Sequence, residues 1–235
     1  MGFTKINAVS LTDLFIQQIE NMILSGELQI GEHLPSERDL ATKMGVSRPV
    51  VSSGLTELEK LGFVEIVPRQ GVRVCDYRRK GSMETLEAIM RYNNGAMRQN
   101  EVRSLFEVRD ACEGLVIKLV LENNSVDEIE KVLAPMLDEL KSTSDSDEAA
   151  EIVFRFYHEL AVMSGNAILP LLYYSFREQG KYLWSLYCKK NGIPKMYKLK
   201  LDLFTAMMNG DLDSAVAQTH TVLNNAINDL PFYGA

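Results

Sequence analysis

The chain has 235 residues, 46% hydrophobic and 24% charged, with a formal net charge of -7. Those fractions describe an ordinary globular chain and exclude a disordered or fibrous one. The length suits one large domain or two modest ones, and no apolar run approaches the roughly 18–20 residues that span a bilayer. Residues 1–80 hold 10 Lys+Arg and 10 Asp+Glu, so all of the excess acid lies beyond residue 80. Within that neutral first segment the bases cluster at Arg38, Lys43 and Arg48, and again at Arg69, Arg73, Arg78, Arg79 and Lys80. A polyanion needs one basic face, not a basic protein.

In chain order, Ser10-Leu-Thr-Asp13 has capping-box spacing, and Leu11, Leu14, Phe15, Ile19, Met22 and Ile23 follow at helical spacing up to Gly26. Ile30 to Pro35 reads as an irregular connection. Ser36-Glu-Arg-Asp39 repeats the cap pattern and opens a short helix through Leu40, Ala41 and Met44. Gly45 is a turn residue. Ser47 then caps a third helix with Pro49 in its first turn and Val51, Leu55, Leu58 and Leu61 along one face. Past Gly62 the period changes from 3.6 to 2. Phe63–Val67 and Val72–Val74 read as short strands around a tip at Pro68-Arg-Gln-Gly71. Helix, helix, turn, helix, hairpin is the order of a winged helix-turn-helix, in which the later helix can enter a DNA major groove.

Tyr77-Arg-Arg-Lys-Gly81 suits a linker, and from Ser82 the chain reads as entirely helical. The spacing predicts helices through Met83, Leu86, Ile89 and Met90, stopped near Asn93-Asn-Gly95; from Val102 to Asn123-Asn124; from Ser125 to Leu140; over 147–164; over 167–190, broken at Asn191-Gly-Ile-Pro194; and two more separated at Asn209-Gly210-Asp211. The expected fold is therefore mainly α: a winged helix-turn-helix domain over 8–77, then an all-α bundle of about seven helices over 82–231. Cys75, Cys112 and Cys188 are too scattered for a disulfide framework or a paired-cysteine metal knuckle, which fits a reducing cytoplasm. Met1 to Ser10 lacks the pattern of a secretory signal.

The fixed spacings Gly26-x4-Gly31-x2-Leu34-Pro35-Ser36-Glu37-Arg38-x-Leu40-Ala41-x3-Gly45-Val46-Ser47-Arg48-Pro49, continued by Leu58, Leu61-Gly62 and Gly71-x2-Val74, resemble the signature of GntR-family bacterial transcriptional regulators. The resemblance implies a homodimer on a short palindromic operator of double-stranded DNA, contacted by Arg38, Ser47, Arg48 and the wing-tip Gly71. Chemistry agrees: an Arg at the start of a recognition helix can pair with a guanine edge, and Gln70 and Gly71 suit minor-groove insertion. One departure is Ser52, where the family usually carries a further Arg.

The helical segment resembles the FadR subfamily through Phe106-Glu-Val-Arg109-x2-Cys112-Glu113, Ser164-Gly165-Asn166 and Ala206-x3-Gly210-Asp211-x3-Ala215. Most of that subfamily holds a divalent metal through one Asp and three His. Here His158 fills the first His slot, but Phe154, Lys200 and Val222 occupy the other three and His220 is two residues out of register, so no metal of that type is expected. Arg109, His158 and Arg177 are the polar candidates for gripping an effector, a carboxylate or an acyl-CoA, although Glu113 at i+4 could equally neutralise Arg109. Aromatic residues from Phe156-Tyr157 and from Tyr173 to Trp184 could wall a pocket or simply fill the core. Leu223, Ala226 and Leu230 give no support for an acyl-CoA. The expected function is a ligand-responsive transcriptional regulator, a repressor, in the cytoplasm and without a membrane segment. An architectural DNA-binding dimer with a vestigial effector domain is the alternative. An enzyme ranks last, because no nucleophile elbow, P-loop, dinucleotide fingerprint or complete metal set is present.

Overall fold

The computed structural model describes residues 10–91 and 99–229, and the side chains of 10–89 and 102–222. The expected helix stop at Asn93–Gly95, the side chains of Met90, Leu223 and Ala226, and Leu230 lie outside the described residues. Backbone proximity divides the chain into two compact units, Met1–Asn94 and Gly95–Ala235.

The first unit runs α1 (Leu11–Ser25), α2 (Glu37–Met44), α3 (Arg48–Lys60), β1 (Val64–Val67), β2 (Gly71–Val74), α4 (Tyr77–Lys80) and α5 (Met83–Arg91). α1 begins at a complete capping box, in which the Ser10 hydroxyl accepts the Asp13 N–H and the Asp13 carboxylate accepts the Ser10 N–H. Its inner residues Phe15, Ile19 and Ile23 join Val51, Leu55 and Leu58 of α3 in one core. α3 comes closest to α1 at Gly54, where a Cβ would stand 2.3 Å from Phe15 Cδ1.

The strands pair antiparallel with Val64 opposite Val74 and Ile66 opposite Val72. The tip closes when the Gln70 N–H donates to Val67 O at 3.0 Å. Pro68 takes the second turn position and Arg69 the third, at φ 65°, where a left-handed residue is required and glycine is usual. The expected irregular connection before Pro35 is ordered against β2. The Gly31 N–H donates to Val74 O at 2.9 Å, the Val74 N–H to Glu32 O at 2.8 Å and the Leu34 N–H to Val72 O at 2.9 Å. So short a segment shows no alternation in sequence, and only the buried Leu34 marks its inner face.

The basic stretch expected as a linker is the helical turn α4, started by Asp76, which accepts the Arg78 N–H. α5 continues the first unit. Ala88 is part of its core, and the Thr85 hydroxyl donates to the Leu61 carbonyl. The division between units thus falls beyond α5 and not at residues 77–82.

The second unit holds α6 (Gln99–Asn123), α7 (Val126–Ser142), α8 (Ser146–Met163), α9 (Leu169–Ser175), α10 (Arg177–Asn191), α11 (Ile193–Met208) and α12 (Leu212–Asp229). Ser125 starts α7 with a second capping box. The Asn123-Asn124 stop of α6 also ties down the end of α8, since their side-chain amides donate to Ser164 O and Met163 O, each at 2.9 Å. The single helix expected over 167–190 is two, separated at Phe176. Neither Gly nor Pro marks that break, so hydrophobic periodicity runs through it. α8 is central and packs on α6, α7, α9 and α10, while α11 and α12 close the bundle against α7 and α6.

Replacing Gly54 with Ala improves helix propensity by about 1 kcal/mol, yet pushes a methyl into the Phe15 ring. Overpacking dominates, and Gly54→Ala is expected to destabilise the first unit by about 1–2 kcal/mol net, read as a lower midpoint in urea unfolding. An unchanged or higher midpoint would show that Phe15 moves aside freely.

Candidate nucleic-acid interface and ligand cavity

Ser47 sits at the N-cap of α3 with extended backbone, but its hydroxyl makes no capping bond. The reason is local. Pro49, at the second helical position, has no N–H to offer, and the Val50 N–H donates to the Ser47 carbonyl at 3.1 Å. The hydroxyl is thereby left facing outward beside Arg48, which is exposed and in no ion pair among the described residues.

Among the nine Lys and Arg of the first unit whose side chains are described, five are matched locally. Arg73 meets Glu65 at 2.9 Å and Lys80 meets the same carboxylate at 3.2 Å. Arg78 and Arg79 share Asp76 at 2.7 and 3.3 Å, and Lys60 pairs with Glu57 at 2.7 Å. The hydrogen bond from Arg73, then the one from Lys80, holds the Glu65 carboxyl below its usual range, and the hydrogen bond from Arg78 does the same for Asp76. Lys43, Arg48 and Arg69 have no such partner among the described residues. Arg38, 80% exposed, has only Asp39 at 3.9 Å. The basic cluster of the sequence therefore resolves into a matched group at the base of the wing and an uncommitted group that includes Arg38, Arg48 and the wing tip. Gln70 and Gly71 are exposed at that tip, and Gly71 adopts φ 94° with no atom within 4 Å of where a Cβ would stand.

In the second unit the predicted residues separate. Arg109 of α6 is buried and donates to Glu113 at 2.6 Å. Its guanidinium lies 5.1 Å from the ring centres of both Tyr157 and Trp184. His158 instead stacks on Phe154 at 5.6 Å, and Tyr174 flanks it at 5.9 Å. Arg177 is engaged by Glu151 at 3.0 and 3.2 Å and stands over the same Phe154 ring. His220 Nδ1 lies against the Asp110 carboxylate.

Lys200 of α11 joins Arg109 and was not among the predicted contacts. Its side chain is 0% exposed and its ammonium donates to Tyr157 Oη at 2.5 Å, 4.3 Å from the Tyr157 ring centre and 5.1 Å from that of Trp184. The signal lay in the pattern: Met196, Lys200, Leu203 and Met207 share the inner face of α11, so a Lys stands at a core position. Burial pushes the Lys200 ammonium down to about 7, against the pull of Glu113. Burial also raises the Glu113 carboxyl despite Arg109 and Lys200. Arg109 loses hydration too, but Glu113 together with Tyr173 and Tyr157 outweighs that loss and its pKa rises. Two buried cations thus face one buried carboxylate.

A cavity of about 30 Å³ adjoins this cluster, lined by Arg109, Tyr157, Tyr173 and Trp184 and by apolar residues including Leu105 and Phe176. It holds about one or two waters. Tyr173 Oη and Glu113 Oε2 are buried and have no hydrogen-bond partner among the described residues. No group of three or more His, Cys, Asp or Glu placed to hold a metal occurs among the described residues.

The winged unit matches the family described as bacterial regulatory proteins, gntR family, over residues 12–74, and the helical unit matches the FCD domain over residues 104–225. The chain is 31% identical over 181 residues to the HTH-type transcriptional regulator Mce2R of Mycobacterium tuberculosis, covering 75% of this chain and 73% of the relative. It is 26% identical over 167 residues to the fatty acid metabolism regulator protein of Proteus mirabilis, covering 71% and 68%. Among solved structures, Lar, described as controlling the Listeria monocytogenes agr system, shares the fold at a TM-score of 0.62 and 16% identity over 95% of this chain and 97% of that one. A winged DNA-reading unit followed by a helical FCD domain defines a class of bacterial transcriptional regulators. This chain belongs to the GntR family, with a FadR-type domain order, and is a regulator and not an enzyme.

The sign of the Lys200 effect is testable. An unfolded Lys holds its proton up to about pH 10.4, whereas the folded one releases it near 7. The unfolded chain therefore binds more protons between those values, and the Lys200 penalty is largest below 7 and fades as pH rises. The charged or titratable groups acting on it are Glu113 and Arg109 from α6, Tyr157 from α8 and Cys188 from α10. Lys200→Met leaves Arg109 and Glu113 as a balanced pair. Its melting temperature is expected to exceed that of the parent at pH 6, by about 2–4 °C per kcal/mol relieved, with the gap closing toward pH 10. A gap that widens with pH would reverse the assignment.

Proposed function

We propose that the protein acts as a cytoplasmic homodimer that represses by binding a short palindromic operator, and that a small molecule in the helical unit alters that binding. The observation that carries the DNA-reading assignment is Arg48: an exposed cation at the start of α3, in no ion pair among the described residues, beside a Ser47 hydroxyl that the helix cap does not use. Arg48 would read a base edge in the major groove, and Ser47 and Arg38 would meet phosphate or base. Gln70 and Gly71 would place the wing tip in the minor groove. Two copies give the palindrome, since a two-fold protein reads a two-fold site.

In the helical unit Arg109 is the proposed effector anchor. His158 and Arg177, both held against Phe154, are left outside that contact set. The cavity of about 30 Å³, room for one or two waters, gives no support for an acyl-CoA and would take an acid group only as its lining side chains give way. Ligand control requires different affinities for the ligand in the two DNA-binding states.

The test begins with an operator selected from random duplex DNA by the purified protein. Arg48→Ala is expected to weaken binding to it by about tenfold or more, with the dimer unchanged in analytical ultracentrifugation. Unchanged operator affinity would refute the recognition-helix assignment.

A further inference from the structure

The wing carries two cations, Arg69 and Arg73, and one acid, Glu65. Glu65 is taken by Arg73 and Lys80, while Arg69 has no ion pair among the described residues. Residues 68–71 at the tip are all exposed and include no acid. The Gln70 N–H bond to Val67 O closes the turn, with Arg69 at φ 65° and Gly71 at φ 94° on either side of Gln70. No atom lies within 4 Å of a Cβ built on Gly71, so the backbone there is open to close approach. The tip is a tight turn that carries a guanidinium and no carboxylate.

α3 leaves part of the reading to another element. Beyond Arg48, its long exposed side chains Glu59 and Lys60 are spent on the Ile66 N–H and on Glu57, each at 2.7 Å. Ser52, Ser53 and Thr56 are exposed but short, and the Thr56 hydroxyl donates to the Ser52 carbonyl. Glu59 also ties β1 to α3, and both belong to one core through Leu58 and Val64. Arg48 and the tip therefore keep a fixed spacing.

We propose that Arg69 is a specificity-determining residue that reads the width of the minor groove and selects an A·T run beside the base pair read by Arg48 in each half-site. The proposal rests on the reading of α3 as the major-groove helix and of the tip as the minor-groove element, and it gives the operator a second sequence requirement. A·T runs narrow the minor groove and strengthen its negative potential, which draws in arginine. A guanidinium is more weakly hydrated than an ammonium, so it enters a narrow groove at lower cost. G·C pairs put an amino donor on the groove floor, where it opposes a second donor. A phosphate contact would add affinity on every sequence, whereas a groove contact adds it on A·T alone.

The experiment measures, by fluorescence anisotropy, binding of the full chain to the selected operator after exchange of the A·T pairs beside the Arg48-dependent pair for I·C, diaminopurine·T or G·C. I·C keeps the minor-groove edge of A·T with the major-groove edge of G·C, and diaminopurine·T does the reverse. The parent is expected to bind A·T and I·C flanks within about twofold of each other, and the other two about tenfold more weakly. Arg69→Ala is expected to lose that preference and still lose about tenfold when the Arg48-dependent pair is changed. Arg69→Lys is expected to keep most of the affinity and little of the preference. Glycine suits φ 65°, so Arg69→Gly is expected to melt no lower than the parent while the preference disappears. A role confined to shaping the turn would not separate those two readouts. An operator with no A·T run beside that pair, a parent indifferent to diaminopurine·T or G·C flanks, an Arg69→Ala chain weakened equally on all flanks, or an Arg69→Gly chain that keeps the preference overturns the proposal. If the flanks are indifferent while Arg48→Ala still weakens binding, the recognition-helix assignment stands without it. If no operator is selected, or Arg48→Ala changes none of its base preferences, that assignment fails and the proposal with it.

Discussion

The helical unit is organised around buried charge that it has to neutralise. Arg109 and Glu113 come from α6, Lys200 from α11, the phenol that accepts the ammonium from α8 and the indole beneath both cations from α10. Apolar core positions tolerate volume-conserving exchange for under about 1.5 kcal/mol. Removing one partner of a buried ion pair typically costs about 3–5 kcal/mol. Arg109 and Glu113 are therefore a pair that neither partner can leave cheaply, whereas Lys200 adds a buried charge whose removal is expected to relieve the bundle.

The winged unit handles charge in the opposite way. Its pairs are exposed, between Arg73, Lys80 and Glu65 or between Arg78, Arg79 and Asp76, and such pairs contribute little to stability. They set which cations remain for a polyanion. Arg38, Arg48 and Arg69 are exposed and largely uncommitted while the bases at the foot of the wing are matched, although the chain as a whole carries -7. Arg69 holds a left-handed conformation that would suit glycine better, and that conformation leaves an exposed guanidinium at the turn.

Most of the fold was legible because it follows from local rules. Ser10 and Ser125 begin helices with full capping boxes, Gly192-Ile-Pro194 separates two helices, and period-2 alternation after Gly62 gives the hairpin. What sequence did not show depends on long-range contact. The residues before Pro35 are ordered by a single bridge, His33 opposite Arg73, and by hydrogen bonds to β2, and α5 belongs to the winged unit through the burial of Ala88. The candidate site was legible in its types and not in its grouping. Arg109 with Glu113 was visible at i+4 spacing. Arg177 looked free until Glu151, twenty-six residues away on α8, was found to hold it. Lys200 was noticed for the metal ligand it displaced, yet its partnership with Tyr157 spans forty-three residues that periodicity cannot bridge.

Lys200 bears on the implied metal site electrostatically. A divalent ion held by one Asp and three neutral His, the set implied by the family resemblance, adds one net positive charge to the bundle. Phe154 and Val222 add none, and Lys200 adds one only while it holds its proton, which burial makes it release near pH 7. A Lys beside an Asp at the Phe154 position would give a neutral pair, whereas with Phe154 there the Lys200 ammonium has no carboxylate in that slot and only Glu113 and Tyr157 to face. Lys200 thus puts a covalent, monovalent and titratable charge close to Arg109 and Glu113, where a metal of the implied kind would put a divalent one.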